Sequence, residues 1–330
     1  MPVKIASLTL AAGTNSRMPP KYRPKACVLV GGRSVIRRAN EAYQEAGVSR
    51  HVIVVGKDAG PIRAQFAGRR DVEYALQEEP RGTGDAARCG LNLLAEHDPP
   101  HSVLISAGDK VMAPGLIKRF LNFHRKAGVP FSLVAGRSED NPGSGRIIER
   151  DGSAFGIAEV PDIRVRQLAA ALRSLPESAR PATRAELQAL ASKFLASPAK
   201  LAKCLPDIAR QIGDGGTQAI SWSETLAAVS PVPDHFDLPH GSVTVEEADQ
   251  SPWANLSLYV GELSLIQEAI EKVRSNNAQG EWYLTDLVQI LAAEGTSVGV
   301  FRLPRPEDLM AFNTVEELVQ VQRVFGGFFP

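Results

Sequence analysis

Up to residue 160, short runs of apolar and β-branched side chains alternate with longer stretches in which apolar residues return every three or four positions. The runs at 5–12, 51–56, 72–75, 103–106 and 131–134 predict strands. The stretches at 34–46, 59–66, 85–95 and 114–126 predict amphipathic helices. Strand and helix in strict alternation is the pattern of an α/β fold, in which a doubly wound, mostly parallel sheet is covered by helices.

From 163 to 249 the pattern changes to Ala, Leu, Arg, Pro and Ser, with a helical run at 184–195 and proline breaks around it. This segment is expected to be an inserted, mainly helical subdomain. Its later half, 213–249, is rich in turn formers and has no clear period, so a long loop is expected there. Strand patterning returns at 253–260 and 298–303, with helices expected at 263–273, 283–293 and 315–325. Three parts follow: 1–162 as an α/β nucleotide-binding part, 163–249 as the insertion, and 250–330 completing the first.

Composition narrows the classes of function. The 330 residues are 44% hydrophobic and 22% charged, the balance of an ordinary globular chain. Thirty-seven Lys and Arg offset thirty-seven Asp and Glu, so there is no overall field to hold nucleic acid by counterion release. No apolar stretch reaches the roughly 20 residues that span a bilayer, so no membrane partner is expected. The apolar run near the N-terminus is short and leads straight into a polar glycine loop, unlike a secretory signal. Cys27, Cys89 and Cys204 form neither a CxxC pair nor an even set, which suits a reducing, cytoplasmic setting. The six histidines have no HxxH or HExxH spacing and predict no zinc site.

The strongest chemical signal follows the first strand: Leu10, Ala11, Ala12, Gly13, Thr14, Asn15, Ser16, Arg17 and Met18, then Pro24 and Lys25. A glycine at the carboxyl end of a strand lets backbone approach a ligand, exposed amides hold phosphate oxygens, and Arg17 and Lys25 add two cations. Triphosphate binding is the natural reading, although neither a Walker loop nor a GxGxxG fingerprint is present here.

These residues resemble the sugar-1-phosphate nucleotidylyltransferases of the MobA-like NTP transferase fold, which carry the signature LAAGxGTRM...PK. They are most similar to the uridylyltransferase that makes UDP-N-acetylglucosamine. The resemblance extends to Gln77 with Gly82, Thr83, Gly84 and Asp85, to Gly108 and Asp109 in SAGD, to Gly145 and Arg146 in GSGRI, and to GIAE ending at Glu159. NAQGEWYLTD from Asn277 to Asp286 is similar to NAQGEYYLTD, and AFNTVEEL from Ala311 to Leu318 to GVNNRxQL. The matches run in order and leave the insertion without a counterpart.

The resemblance implies an enzyme of the nucleotide-diphospho-sugar transferase type, which condenses a nucleoside triphosphate with a sugar 1-phosphate and releases pyrophosphate. UTP and N-acetylglucosamine 1-phosphate are the expected pair. An anionic phosphate oxygen attacks the α-phosphorus, so no general base is needed and catalysis consists of alignment and charge neutralisation. By carry-over, Arg17, Lys25 and Asp109 are catalytic, and Asp109 with Asn313 holds Mg²⁺, an ion that keeps several waters. Leu10, Ala11, Ala12, Gly13, Gln77, Gly82, Thr83 and Gly108 hold the nucleotide; Gly145, Glu159, Asn255 and Thr285 face the sugar. A Gln77 amide can serve uracil or, flipped, cytosine. Assembly as a homo-oligomer is an expectation by analogy with relatives.

The chain departs from the family at several points. Asn15 and Ser16 stand for a glycine and a threonine, the spacer PPKYRP is one residue longer, and Ala107 and Ser144 replace aromatics near the sugar. These changes leave open CTP or dTTP with another sugar or polyol phosphate, or a catalytically silent nucleotide-sugar-binding regulator. No hexapeptide repeats are present, so acetyl transfer is not expected. Taken singly, Asp109 reads as a cap or turn former, Arg17 and Lys25 as solvated charges, Asn313 as an N-cap and Thr285 as a cap; Asn255 reads as a partner of sheet-edge backbone, and Cys27 and Cys89 as buried apolar residues.

Overall fold

The computed structural model describes residues 4–13, 18–96, 98–213 and 218–326. Its centre is a nine-stranded sheet. In chain order the strands are β1 (Ile5–Leu10), β2 (Arg50–Val55), β3 (Val72–Leu76), β4 (Ser102–Ala107), β5 (Phe131–Arg137), β6 (Arg146–Arg150), β7 (Ser153–Ala158), β10 (Trp253–Glu262) and β11 (Val298–Arg302). The labels β8 and β9 belong to a separate hairpin, His235–Leu238 and Gly241–Thr244. The order is β7-β6-β10-β4-β1-β2-β3, with β5 on β10 and β11 on β5. β1 pairs in parallel with β2 and β4, β2 with β3, and β11 with β5, whereas β10 runs antiparallel to β4 and β5. Within this sheet β10 and β7 oppose the rest, so it is mostly parallel.

The sheet is wound on both faces. On one lie α3 (Thr83–Glu96), α11 (Leu263–Ile270) and α12 (Asp286–Ala293), whose Leu91, Ile266 and Leu287 pack on Ala6, Leu8, Val52 and Val54. On the other lie α1 (Val35–Glu45), the short α2 (Gly60–Ala64) and α4 (Leu116–Ala127); Tyr43 and Phe120 cover Leu104, Val134 and Leu258, and Ile62 packs with Ile36 on Ile53. Strands buried on both faces must be apolar nearly throughout, which is why β1 and β2 read as unbroken runs. A Cβ on Gly90 of α3 would stand 2.2 Å from Leu8 Cδ1, so glycine there lets the helix lie directly on β1.

The segment 163–249 differs from its expected shape. Helices α5 (Val160–Ser174), α6 (Arg184–Ser192), α7 (Pro198–Cys204), α8 (Pro206–Ile212) and α9 (Trp222–Val229) enclose a core of their own around Leu168, Leu172, Leu187 and Ile208. Where a long loop was expected stand α9, the β8–β9 hairpin and α10 (Val245–Asp249), with residues 214–217 outside the described set. Ser221 and Thr244 cap α9 and α10, accepting from Glu224 N and Glu247 N. The elements are too short for a period to emerge. The hairpin is anchored on the sheet by Phe236 and Leu238, Leu238 filling the space over Gly156.

Two further strands, β6 and β7, were absent from the expected set. Asp151 and Gly152 join them with φ of 52° and 81°, the left-handed pair that a two-residue hairpin needs. Other elements lie where the pattern put them, apart from shifts at their ends. α12 begins three residues later than expected because Tyr283 to Thr285 are held by other contacts, and α13 (Val315–Phe325) has its expected limits. No helix among the described residues is long and apolar enough to cross a membrane.

Candidate active site

The carboxyl ends of β1, β3 and β4 converge on a cavity of about 420 Å³. All eight residues expected to hold a nucleotide line it: Leu10, Ala11, Ala12, Gly13, Gln77, Gly82, Thr83 and Gly108. So do Lys25, Asp109 and Asn313, whereas Arg17 and its neighbours 14–16 lie outside the described residues. Gly108 N donates to Leu10 O at 2.8 Å, and a Cβ on Gly108 would press on Ala11, so the LAAG and SAGD turns close together only because glycine is there.

Lys25 is 7% exposed and sits in a single 3-10 turn, Lys25–Cys27. Its ammonium donates to Asp109 Oδ2 at 2.6 Å, Phe312 O at 3.0 Å and Asn313 Oδ1 at 3.2 Å. An ammonium has three donors, and all three are satisfied. Burial pushes the Asp109 carboxyl up, but Lys110 and Lys25 pull harder and hold it below the usual carboxylate range. Burial lowers the Lys110 ammonium in turn, against the pull of Asp109. Lys110 escaped the sequence reading although it follows SAGD directly. Asn313 is not the helix cap: Thr314 is, accepting from Glu317 N at 3.2 Å. That leaves the Asn313 carboxamide directed at Lys25.

Gln77 is buried, and its amide donates to Gly82 O at 3.0 Å and Asp85 Oδ2 at 2.9 Å. Both N–H bonds are thus committed inside the protein, and what remains for a ligand is the carbonyl oxygen, an acceptor. The loop carrying Gly82 and Thr83 is stitched to the NAQGEWYLTD segment across two hundred positions of sequence. Gly84 N donates to Trp282 O at 2.7 Å, Trp282 N to Arg81 O at 2.8 Å, and Leu284 N to Thr83 Oγ1 at 3.0 Å. Gly82 has φ +120°, and a Cβ there would lie 2.5 Å from Trp282 O. Arg88 stacks on the Trp282 ring and pairs with Asp85.

The four residues expected to face a sugar are joined to one another beside this cavity rather than in its lining. Asn255 N donates to Gly145 O at 2.8 Å, a Cβ on Gly145 would stand 3.0 Å from Glu159 Oε1, and Thr285 Oγ1 donates to Glu159 Oε1 at 2.9 Å. Thr285 occupies the N-cap position of α12, yet its side chain makes no cap bond. Asn255 sits at a bulge in β10 where Ser257 has φ 56°, its amide donating to the Tyr259 hydroxyl at 2.7 Å and its carbonyl accepting from Ser257 N at 3.1 Å. It is a bulge residue of an interior strand, not a sheet-edge partner. Burial raises Glu159 to about 7, and likewise Asp286 to about 7. The three cysteines are free and half-buried.

Asp109 Oδ2 and Asn313 Oδ1 converge on a single cationic nitrogen. Among the described residues no three His, Cys, Asp or Glu side chains gather to hold a metal by themselves. A cation at this point would therefore take two protein oxygens and complete its shell from elsewhere.

Residues 8–223 match the MobA-like NTP transferase domain. The chain belongs to that family. It is a nucleotidyltransferase, and the comparisons agree on the architecture. The chain is 26% identical over 322 residues to the bifunctional protein GlmU of Thermoanaerobacter pseudethanolicus, covering 97% of this chain and 51% of that protein. It is 23% identical over 323 residues to GlmU of Clostridium acetobutylicum, covering 96% and 51%. It thus spans about half the length of these curated relatives. A UDP-glucose pyrophosphorylase solved with UDP-glucose superposes with a TM-score of 0.60 at 14% identity, covering 98% of both chains, which places this member of the family in the same fold.

Proposed function

We propose that the protein joins a nucleoside triphosphate to a sugar 1-phosphate, with UTP and N-acetylglucosamine 1-phosphate as substrates and 163–249 as a unit inserted into the catalytic part. The observation that carries this reading is the cavity at the strand ends in which the LAAG turn, Gln77, the Gly82–Thr83 loop and the Lys25–Asp109–Asn313 cluster meet. Gln77 supports uracil: its free carbonyl oxygen accepts from an imide N3–H, whereas the N3 of cytosine would find no donor on this side chain. The similarity of NAQGEWYLTD and the GlmU relatives support the N-acetylated hexosamine.

In the reaction a phosphate oxygen of the sugar phosphate bonds to the α-phosphorus while the bond to the β-phosphate oxygen breaks and pyrophosphate departs. Lys25, already desolvated, exchanges its carboxylate and carbonyl partners for phosphate oxygens and neutralises charge in place. Asp109 and Asn313 fit Mg²⁺ through their oxygens, and the ion, when bound, supplies charge neutralisation at the phosphates. Arg17 is assigned to the leaving pyrophosphate. Glu159, Asn255, Thr285 and the Gly145 carbonyl are assigned to sugar hydroxyls and the acetamido group. The test is pyrophosphate release with Mg²⁺, pairing UTP, CTP, dTTP, ATP and GTP with N-acetylglucosamine 1-phosphate and glucose 1-phosphate. Release confined to UTP with N-acetylglucosamine 1-phosphate is expected; release with another pair replaces the substrates, and none with any pair refutes the reading.

A further inference from the structure

Among the described residues, the insertion touches the nucleotide cavity at one charged point. Lys203, on α7, pairs its ammonium with Glu281 Oε1. Glu281 lines the cavity beside Gly82 and Thr83. Its backbone is clamped on both sides: its N–H donates to Asn277 Oδ1 at 3.2 Å, and its carbonyl accepts from Asn277 Nδ2 at 2.5 Å. The same segment is tied to the insertion once more, and to the residue just before it. Ala278 packs against the helical core, and Ala278 N donates 2.8 Å to Asp162 Oδ1 at the start of α5. The backbone of Glu281 is therefore fixed, and the residue borders a space whose other chemistry suits phosphates.

We propose that Lys203 is a positioning residue through which the insertion sets affinity for the nucleoside triphosphate, by neutralising Glu281 at the mouth of the cavity. The inference rests on the transferase reading above. A carboxylate left uncompensated beside a triphosphate repels it. At a separation of several ångströms in a partly hydrated site, one charge against several is worth roughly a tenfold change in binding. Lys203 and Glu281 are 42% and 30% exposed, so the pair itself adds little to folding stability, and its effect appears when the anionic ligand arrives. Of the other cations described near the cavity, Lys25 pairs with Asp109 and Arg88 with Asp85, while Lys110 acts on Asp109.

The experiment is a double-mutant cycle on the full chain, with KM for UTP and kcat read from pyrophosphate release and melting temperature measured alongside. Lys203→Ala is expected to raise KM for UTP roughly tenfold with kcat within about twofold, and the rise should shrink at high salt. Lys203→Arg should restore KM. Combined with Glu281→Gln, Lys203→Ala should no longer raise KM, because the charge it offset is gone. Additive effects of the two substitutions, an unchanged KM in Lys203→Ala, or a loss confined to kcat would overturn the proposal. A lowered melting temperature with additive kinetics would reduce Lys203 to a structural contact. Failure of the unaltered protein to release pyrophosphate with any substrate pair would instead refute the transferase reading.

Discussion

At the scale of single residues the candidate site is dominated by Lys25, whose three donors are all spent on Asp109, Phe312 and Asn313. Lys25→Met keeps the length and removes the charge, leaving Asp109 with a lost partner and any bound phosphates without their desolvated cation. Pyrophosphate release is expected to fall about a hundred- to a thousandfold, the usual cost of one transition-state donor. Glu159 makes a second prediction. Burial raises it to about 7 from an ordinary 4.5, so between those values the folded protein holds a proton that the unfolded chain has released. Stability therefore falls as pH rises through this window, by up to about 3 kcal/mol. Glu159→Gln should reduce that decline in urea denaturation series at pH 4.5 and 7, leaving the share due to Asp286; an unchanged slope would show that Glu159 does not titrate there.

At the scale of elements, the decisive join is between the loop before α3 and the segment before α12. Gly82→Ala would put a methyl group 2.5 Å from Trp282 O at a φ of +120°, and would have to push the two apart. A loss of about 1–3 kcal/mol in stability is expected, with a rise in KM for the nucleotide as Thr83 shifts; a variant as stable and active as the parent would show that the join is dispensable. Helices and buried strands were legible because their periods are long and unmixed. The β6–β7 hairpin was overlooked even though Asp151-Gly152 is a strong two-residue turn signal, since its flanking strands alternate poorly. In the insertion, elements of four to eight residues, such as α9 and the β8–β9 hairpin, carry too few turns for periodicity to register, and their caps were the better clue.

At the scale of the whole molecule, the pH of greatest stability follows from opposed titrations of buried groups. His51, held by Ser7 at 2.7 Å and pushed down to about 4 by burial, stays neutral in the fold while the unfolded chain protonates near 6.5. Stability due to this group is lost as pH falls from 6.5 toward 4, opposite in sign to Glu159. His51→Gln is expected to flatten the acid limb of the stability profile, measured by denaturation midpoints from pH 4 to 7; an unaltered acid limb would assign it to other groups. The segment 163–249 has a helical core of its own, and among the described residues Lys203 pairs with Glu281 at the cavity; on the proposal above, this lets it influence substrate affinity without joining the chemistry.

The amino-acid sequence alone determined the alternation of strands and helices, the doubly wound α/β class and the identity of the residues that meet at the strand ends. Local pattern records which side chains are to be buried and which backbone turns need glycine, and these are properties of neighbours in the chain. Tertiary structure decided partnership. Asn313 turns to Lys25 because Thr314 already caps the helix, Gln77 loses both donors to Gly82 and Asp85, Thr285 reaches Glu159 instead of capping α12, and Lys203 meets Glu281 from an element with no counterpart in the motif. A buried polar atom takes whichever partner the packing brings within reach, and the cost of leaving it unpaired enforces that choice. The packing of elements far apart in the chain determines that reach.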